Sequence, residues 1–320
     1  MMSKYPLLGM TLIELQSLVK RLGMPGFAAK QIASWLYDKK VTSIDEMTNL
    51  SLKYRELLKQ NYEVGAEAPV EEMRSVDGTV KYLYPVGENH FVESVYIPDD
   101  ERATLCISSQ VGCKMNCKFC MTGKQGFTAN LTANQILNQI YSIPERDKLT
   151  NIVFMGMGEP IDNLDNIIQV IDLLKEPLGL DYSYRKITVS SVGLIDGLSL
   201  IKPKVASIAI SLNAADDEKR TYLMPINRLY PINAILNFVK GFKGTNRIRI
   251  TFEYILIKGF NDSINDAKQL SEILKGTKCK INLIPYNESP YIEFKTPNTE
   301  TINPPSPMIV QMMGTLRLVI

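Results

Sequence analysis

The sequence predicts an α/β fold: a partial, six-stranded parallel β/α barrel preceded by a small helical domain and a short β extension. Three observations carry this. From residue 103 onward six apolar, β-branched runs alternate with five helix-patterned segments, an alternation that places parallel strands in a sheet covered by helices. That region spans roughly 190 residues, short of the ~250 of an eight-fold barrel, so the barrel closes only in part. The whole chain has 320 residues, enough for about two domains at ~150 residues each.

The helical part comes first. Thr11 is placed to cap a helix in which Leu12, Leu15, Leu18 and Val19 recur at helical spacing. The turn LGMPGF then leads into AAKQIASWLYDKK. Residues 1–60 hold nine Lys/Arg against five Asp/Glu, whereas the full chain has 36 against 34 and a net charge of +2. The basic excess therefore sits at the N-terminus. It is either a solvated helical face or a nucleic-acid contact in which Lys20, Arg21, Lys30, Lys39 and Lys40 meet phosphates. Residues 1–70 are assigned to this helical domain and 71–102 to a β extension. There TVKYLYPV and HFVESVYIP read as strands separated by Gly-Glu-Asn.

The barrel is assigned to 103–290. Its strands are ATLCISS, NIVFMGMG, KITVSSVG, ASIAISLNA, IRITFEYILI and KINLIPYN. Between them lie the helices LTANQILNQIYSI, LDNIIQVIDLLKE, IDGLSLI, INAILNFVKGF and DAKQLSEILKG. In parallel barrels chemistry sits at the C-terminal strand ends. The last segment, 291–320, carries Pro-Pro-Ser-Pro where a closing helix would run. It reads as a divergent tail, cut short, that leaves apolar barrel surface uncovered and lowers stability.

Composition narrows the class. An apolar fraction of 45% and a charged fraction of 22% are ordinary for a soluble globular protein. The small net charge excludes a strongly basic nucleic-acid packager. No apolar run approaches the ~20 residues of a membrane span, and MMSKYPLLGM lacks the features of a secretory signal. The expectation is a cytoplasmic protein with no membrane partner.

Five cysteines are present, and Cys106, Cys113, Cys117 and Cys120 crowd together while Cys279 stands apart. An odd, clustered set does not suit a disulfide framework. Cys113-x3-Cys117-x2-Cys120 follows a strand end in the polar loop VGCKMNCKFCMTGKQGF. Three thiolates so spaced can converge on one iron–sulfur cluster and leave one iron open. A structural zinc site normally takes four protein ligands. The available fourth candidates are poor: His90 is the single histidine, Cys279 is remote and Cys106 lies on the preceding strand.

This CxxxCxxC spacing resembles that of the radical S-adenosylmethionine (radical-SAM) superfamily. The string TLCISSQVGCKMNCKFCMTGKQGF, with VESVYIP, VFMGMGEP, ITVSSVG, IAISLNA and INLIPYN, closely resembles the RNA adenine methyltransferases of the RlmN/Cfr group, the RlmN branch most. The resemblance implies a radical-SAM partial barrel, a [4Fe–4S] cluster held by Cys113, Cys117 and Cys120, and S-adenosylmethionine as cofactor. It implies substrates in 23S rRNA and tRNA methylated at adenine carbon 2, the sister branch acting at carbon 8, and a reducing partner such as flavodoxin. It places Gly158 and Glu159 at the cofactor's amino group, Ser190, Ser211, Leu212 and Asn213 at its ribose and carboxylate, and Asn287 on its adenine side. Polar residues cap strands in many proteins, so each of these is weak alone.

Glu93 reads from alternation as a solvent-facing strand residue, and Cys106 as a small buried hydrophobe. The resemblance makes Glu93 a proton donor or acceptor for the substrate adenine, with a pKa raised by an apolar site. It makes Cys106 the thiol that resolves a covalent enzyme–RNA adduct by forming a disulfide with a methyl-carrying cysteine; Cys279 has only a core reading. The family's carrier lies in a C-terminal segment resembling Gly-x-Asp-Ile-x-Ala-Ala-Cys-Gly, and no cysteine follows Cys279 here. The expectation is a chain that binds the cluster and cleaves S-adenosylmethionine without completing methylation. The alternatives are the carbon-8 branch, another radical-SAM enzyme, a non-catalytic RNA-binding remnant and a structural zinc protein.

Overall fold

The computed structural model describes residues 4–177, 180–241, 248–298 and 317–319. In chain order the strands are β1 (Tyr5–Pro6), β2 (Tyr62–Glu63), β3 (Glu71–Arg74), β4 (Val80–Pro85), β5 (Phe91–Pro98), β6 (Ala103–Cys106), β7 (Gln110–Gly112) and β8 (Phe127–Asn130). They continue as β9 (Asn151–Phe154), β10 (Ile187–Ser191), β11 (Ser207–Ser211), β12 (Arg249–Leu256), β13 (Lys280–Pro285) and β14 (Arg317–Val319). The helices are α1 (Leu12–Arg21), α2 (Ala28–Ala33), α3 (Leu52–Asn61), α4 (Met121–Lys124), α5 (Ala133–Tyr141), α6 (Leu164–Lys175), α7 (Ile195–Ile201), α8 (Asp217–Leu223), α9 (Ile232–Lys240) and α10 (Ile264–Leu274). Each of the six barrel strands and five helices expected from the sequence is present.

The chain divides into two compact units. The first comprises residues 1–111, 130–157 and 163–187. Its helical start forms as the pattern dictates: Thr11 and Glu14 make a reciprocal capping box at α1, whose Leu15, Leu18 and Val19 are buried. Strands β1 and β2 pair in parallel and tie the two ends of this segment together. Strands β3, β4, β5 and β6 form an antiparallel meander, and β6 pairs in parallel with β9. Buried Leu105 and Ile152 of these two strands, with Ile136, Ile140, Val170 and Leu174 of α5 and α6, fill the core.

The backbone leaving β6 is held by one amide. Gln139, fully buried on α5, accepts from the Ser108 N–H at 2.8 Å and donates to the Ser108 carbonyl at 3.0 Å. The Ser108 hydroxyl in turn accepts from Met157 N–H at 2.8 Å and donates to the Glu93 carbonyl.

The second unit comprises 112–129, 158–162 and 188–320. Its strands β10, β11, β12 and β13 pair in parallel in sequence order. Val189, Ile208, Ile210, Phe252 and Ile281 are buried, as are Leu198, Ile235 and Leu270 on the covering helices. One difference from expectation lies at the edge. β14 pairs in parallel with β13, Lys280 opposite Arg317, because the open N–H and C=O row of an edge strand recruits an extended segment. The rest of the expected divergent tail, and with it the expected bare barrel surface, lies outside the described residues.

Replacing Gln139 with Leu should strand the Ser108 N–H and C=O without partners. A loss of about 2–4 kcal/mol follows from two buried backbone groups left unpaired. Urea unfolding followed by circular dichroism reads it as a lower midpoint at an unchanged slope.

Candidate active site

The cysteine loop is shaped by a close approach of its two ends. Gly112 has φ +73°, and a Cβ there would lie 1.7 Å from the Gly126 carbonyl oxygen, so only glycine fits. Directly after it, the Cys113 N–H donates to that same Gly126 oxygen at 2.9 Å. Asn116 takes a left-handed φ of 51° at the turn between Cys113 and Cys117, a conformation asparagine tolerates. The Cys120 N–H donates to the Cys117 carbonyl at 3.1 Å, and the Lys118 N–H to Leu223 at 2.9 Å. On the outer side, Lys118 lies 3.5 Å from the centre of the Tyr222 ring and Lys114 pairs with Asp162 at 2.8 Å.

The three thiols are free, Cys117 buried and Cys113 and Cys120 half-buried. Burial pushes the Cys113 thiol up to about 11, with Glu159, Cys120 and Asp162 adding to the shift. Cys117 is raised further, by burial first and then by its two neighbouring cysteines. Such thiols ionise only if a strong positive charge sits among them. Among the described residues no three His, Cys, Asp or Glu side chains are arranged to hold a metal ion. A mononuclear site would draw the sulfurs to ~2.3 Å around one point. Three thiols at this spacing suit a polynuclear cluster, in which each binds a different iron. The wall is apolar: Cys117 is buried with Leu223, Met224, Ile257, Tyr286 and Ile292, and Met115, Phe119 and Cys120 pack against them.

The remaining second-unit candidates stand at or beside C-terminal strand ends. Glu159 is 3% exposed; its two carboxylate oxygens accept from Ile161 N–H at 3.1 Å and Val192 N–H at 2.9 Å. Burial raises its pKa to about 7 despite those bonds. Gly158 precedes it at φ +94°. Ser190 is half-buried in β10, opposite Ala209. Ser211 ends β11, and the Leu212 N–H donates to the Glu253 carbonyl at 2.9 Å. Asn213 adopts φ 58°, accepts from Ile255 N–H at 2.9 Å and turns its amide to the Met224 sulfur at 3.3 Å. Its side chain is thus committed within the protein. Asn287 follows β13 and is exposed.

Sequence reasoning missed Arg220. It lies on α8, a helix not expected from the pattern, and is 0% exposed. Its Nε donates to Leu212 O at 3.1 Å. Nη1 donates to Asn227 Oδ1 at 2.6 Å and Tyr230 O at 3.0 Å, and Nη2 to Val192 O at 2.7 Å and Ser211 O at 3.1 Å. These five contacts use every guanidinium N–H and pin the ends of β10 and β11. The available signal was its helical spacing to Leu223 and Met224, which puts a charge on a buried face.

The first unit holds Glu93 and Cys106. Cys106 ends β6 opposite Val95 and Val153, and burial pushes its thiol up to about 11. Glu93 corrects an expectation. Its side chain is 42% exposed and pairs with Lys81 at 3.0 Å, so it does not sit in an apolar site. The register explains this: Lys81 faces Val95, two residues from Glu93 on the same sheet face.

Two family models match: Radical SAM superfamily over residues 107–270 and Ribosomal RNA large subunit methyltransferase N-terminal domain over residues 5–64. The chain is 66% identical over 303 residues to a Bacteroides thetaiotaomicron protein named "Probable dual-specificity RNA methyltransferase RlmN", covering 94% of this chain and 88% of that one. The chain belongs to the RlmN family. A Bacteroides fragilis relative of the same name is 60% identical over 302 residues, with 94% and 88% covered. A crystal structure of a radical SAM methyltransferase from Sphaerobacter thermophilus superposes at TM-score 0.90 and 35% identity, over 98% of this chain and 95% of that one. The RlmN-family chain is therefore a radical-SAM RNA methyltransferase with the partial-barrel fold, and its cofactors are a [4Fe–4S] cluster and S-adenosylmethionine. Among the described residues no helix is long and apolar enough to cross a membrane.

Substituting Arg220 with Met should leave four carbonyls and the Asn227 amide oxygen without their donor. Buried acceptors left unpaired cost about 1–3 kcal/mol each, so a loss of several kcal/mol is expected, and Arg220→Lys should recover only part of it, since an ammonium lacks the planar fork. Chemical denaturation of the purified variants measures both.

Proposed function

We propose that this RlmN-family chain acts on carbon 2 of adenine in 23S rRNA and tRNA, in the cytoplasm, with a reducing partner such as flavodoxin. Cys113, Cys117 and Cys120 hold the cluster. Gly158, Glu159, Ser190, Ser211, Leu212, Asn213 and Asn287 hold S-adenosylmethionine. Bound together, the two cofactors supply a 5′-deoxyadenosyl radical. Residues 1–70 form an RNA-binding accessory domain through their basic face, 71–102 a β extension, 103–290 the barrel and 291–320 the tail.

The observation that carries the cofactor assignment is Glu159, a buried carboxylate held by two backbone N–H groups at a strand end. Its oxygens are hydrogen-bond acceptors, and the N–H groups of the cofactor's methionine moiety are donors. On the RNA side, Glu93 exchanges the proton at the adenine, and Cys106 is the thiol that releases the methylated base. Carbon 2 carries no lone pair for polar transfer, so the base must be splayed from its helix to be reached. No cysteine follows Cys279 in these 320 residues.

Two experiments test this. With Glu159 titrating near 7, its carboxylate is mostly neutral at pH 6 and mostly ionised at pH 8. Affinity for S-adenosylmethionine should rise about tenfold across that interval, and Glu159→Gln should bind more weakly with no such rise, as calorimetry can show. The cluster-loaded chain, reduced with dithionite beside S-adenosylmethionine and a 23S rRNA fragment or tRNA, should yield 5′-deoxyadenosine. Mass-spectrometric detection of 8-methyladenosine would overturn the carbon-2 assignment, and absence of 5′-deoxyadenosine the radical chemistry.

A further inference from the structure

A buried hydroxyl at the edge of the cysteine loop has no partner. Tyr286 is 5% exposed, and its Oη is among the few buried side-chain polar atoms of the described residues that make no hydrogen bond. Native proteins rarely leave such groups unpaired without a reason. The residue is fixed on both sides. Its N–H donates to Leu256 O at 3.0 Å, and its carbonyl accepts from Thr296 Oγ1 at 2.6 Å. The ring stands edge-on to Phe294, centroids 6.0 Å apart. It packs in the same apolar cluster as Cys117, with Cys120 against that cluster. A fixed backbone and a wedged ring leave the hydroxyl little room to turn elsewhere.

The cysteines of that cluster are the ring's neighbours, Cys117 within it and Cys120 against it. Burial first, then the Glu288 carboxylate and the Cys120 sulfur, push the hydroxyl above the ordinary tyrosine value. It therefore stays an O–H donor at neutral pH. An iron-bound thiolate is an acceptor, and donors to such sulfurs are a main control on cluster potential.

We propose that Tyr286 Oη donates a hydrogen bond to the Cys120 sulfur of the loaded cluster and thereby raises its reduction potential. This rests on the reading that Cys113, Cys117 and Cys120 hold the cluster. Tyr286 is a positioning and tuning residue: it takes no part in the chemistry. An O–H···S bond favours the reduced cluster, which carries one more negative charge, so the one electron needed for cofactor cleavage enters at a milder potential.

The test compares the reconstituted wild type, Tyr286→Phe, and a chain with 3-fluorotyrosine at 286, a stronger donor of nearly the same volume. Iron and sulfide content are measured first, then an EPR-monitored redox titration at pH 7 without S-adenosylmethionine. The phenylalanine variant should keep its cluster yet show a more negative midpoint. Its reduced-to-oxidised ratio at fixed potential should fall by up to about tenfold, which is 59 mV for one electron. Fluorotyrosine should move the midpoint the opposite way. Equal midpoints in chains with intact clusters would overturn the proposal. So would a shift seen only after S-adenosylmethionine is added, which would assign the hydroxyl to that molecule. If the phenylalanine variant loses its cluster, the fluorotyrosine chain decides alone. A wild type that takes up no iron would instead overturn the cluster reading on which the proposal stands.

Discussion

The second unit depends on where one buried guanidinium sends its five N–H groups. Arg220 carries charge into a space with no exposure, which is costly unless each donor finds an acceptor. Burial pulls its pKa down to about 10, still far above neutrality, so it remains a cation. Its acceptors are mostly main-chain carbonyls at the ends of β10 and β11. One peptide unit couples this clamp to the site. Val192 gives its carbonyl to Arg220 at 2.7 Å and its N–H to Glu159 at 2.9 Å. The position of the buried carboxylate is thus set through Val192 by the buried cation. Asn227 completes the arrangement, accepting from Arg220 and donating to Asp217. The charge is spread over neutral dipoles and not cancelled by a direct ion pair.

The same physics governs the thiols. Cys117 lies in an apolar wall that penalises its thiolate, so a cluster, once bound, supplies charge compensation that the protein lacks. The chain's contribution is geometric. Gly112 lets the loop ends meet, and Cys113 is tied to Gly126 by its N–H. A loop so closed loses less conformational entropy on binding than an open one would. Glu93 and Lys81 of the first unit follow a different rule: they form a half-exposed pair, and pairs of that kind are held weakly. Such a pair exchanges partners at little cost, whereas the bonds of Glu159 cannot change without disturbing the end of β10.

The barrel was legible because buried parallel strands read as continuous apolar runs and their helices keep a 3.6-residue period. The cysteine spacing was legible for a chemical reason, since few arrangements serve three thiols so close in sequence. What escaped is where burial contradicts residue type. Arg220 sits on a short helix with charged residues at Asp217, Glu218 and Lys219, and composition alone marks that segment as a solvated turn. Its value comes from acceptors on other strands, which no local pattern records. Asn213 shows the same limit in reverse. Its place at a strand end was visible, but the bonds its side chain makes to Ile255 and Met224 were not.

Glu93 shows how a register, once known, turns an ambiguous residue into a specific one. Period-two counting along β5 separates Val92, Ser94 and Tyr96, which are buried, from Glu93 and Val95, which are less so. That split alone cannot say which face meets solvent and which a substrate. The antiparallel register adds the missing fact: Val95 lies opposite Lys81 on one side and Cys106 on the other. Directly paired residues project to the same face, so Lys81, Glu93, Val95 and Cys106 share one surface of the meander. A carboxylate, an ammonium and a thiol on a single half-open face are an unusual grouping for a purely solvated strand. A shift of one residue in the β5–β6 pairing would have put Glu93 and Cys106 on opposite faces.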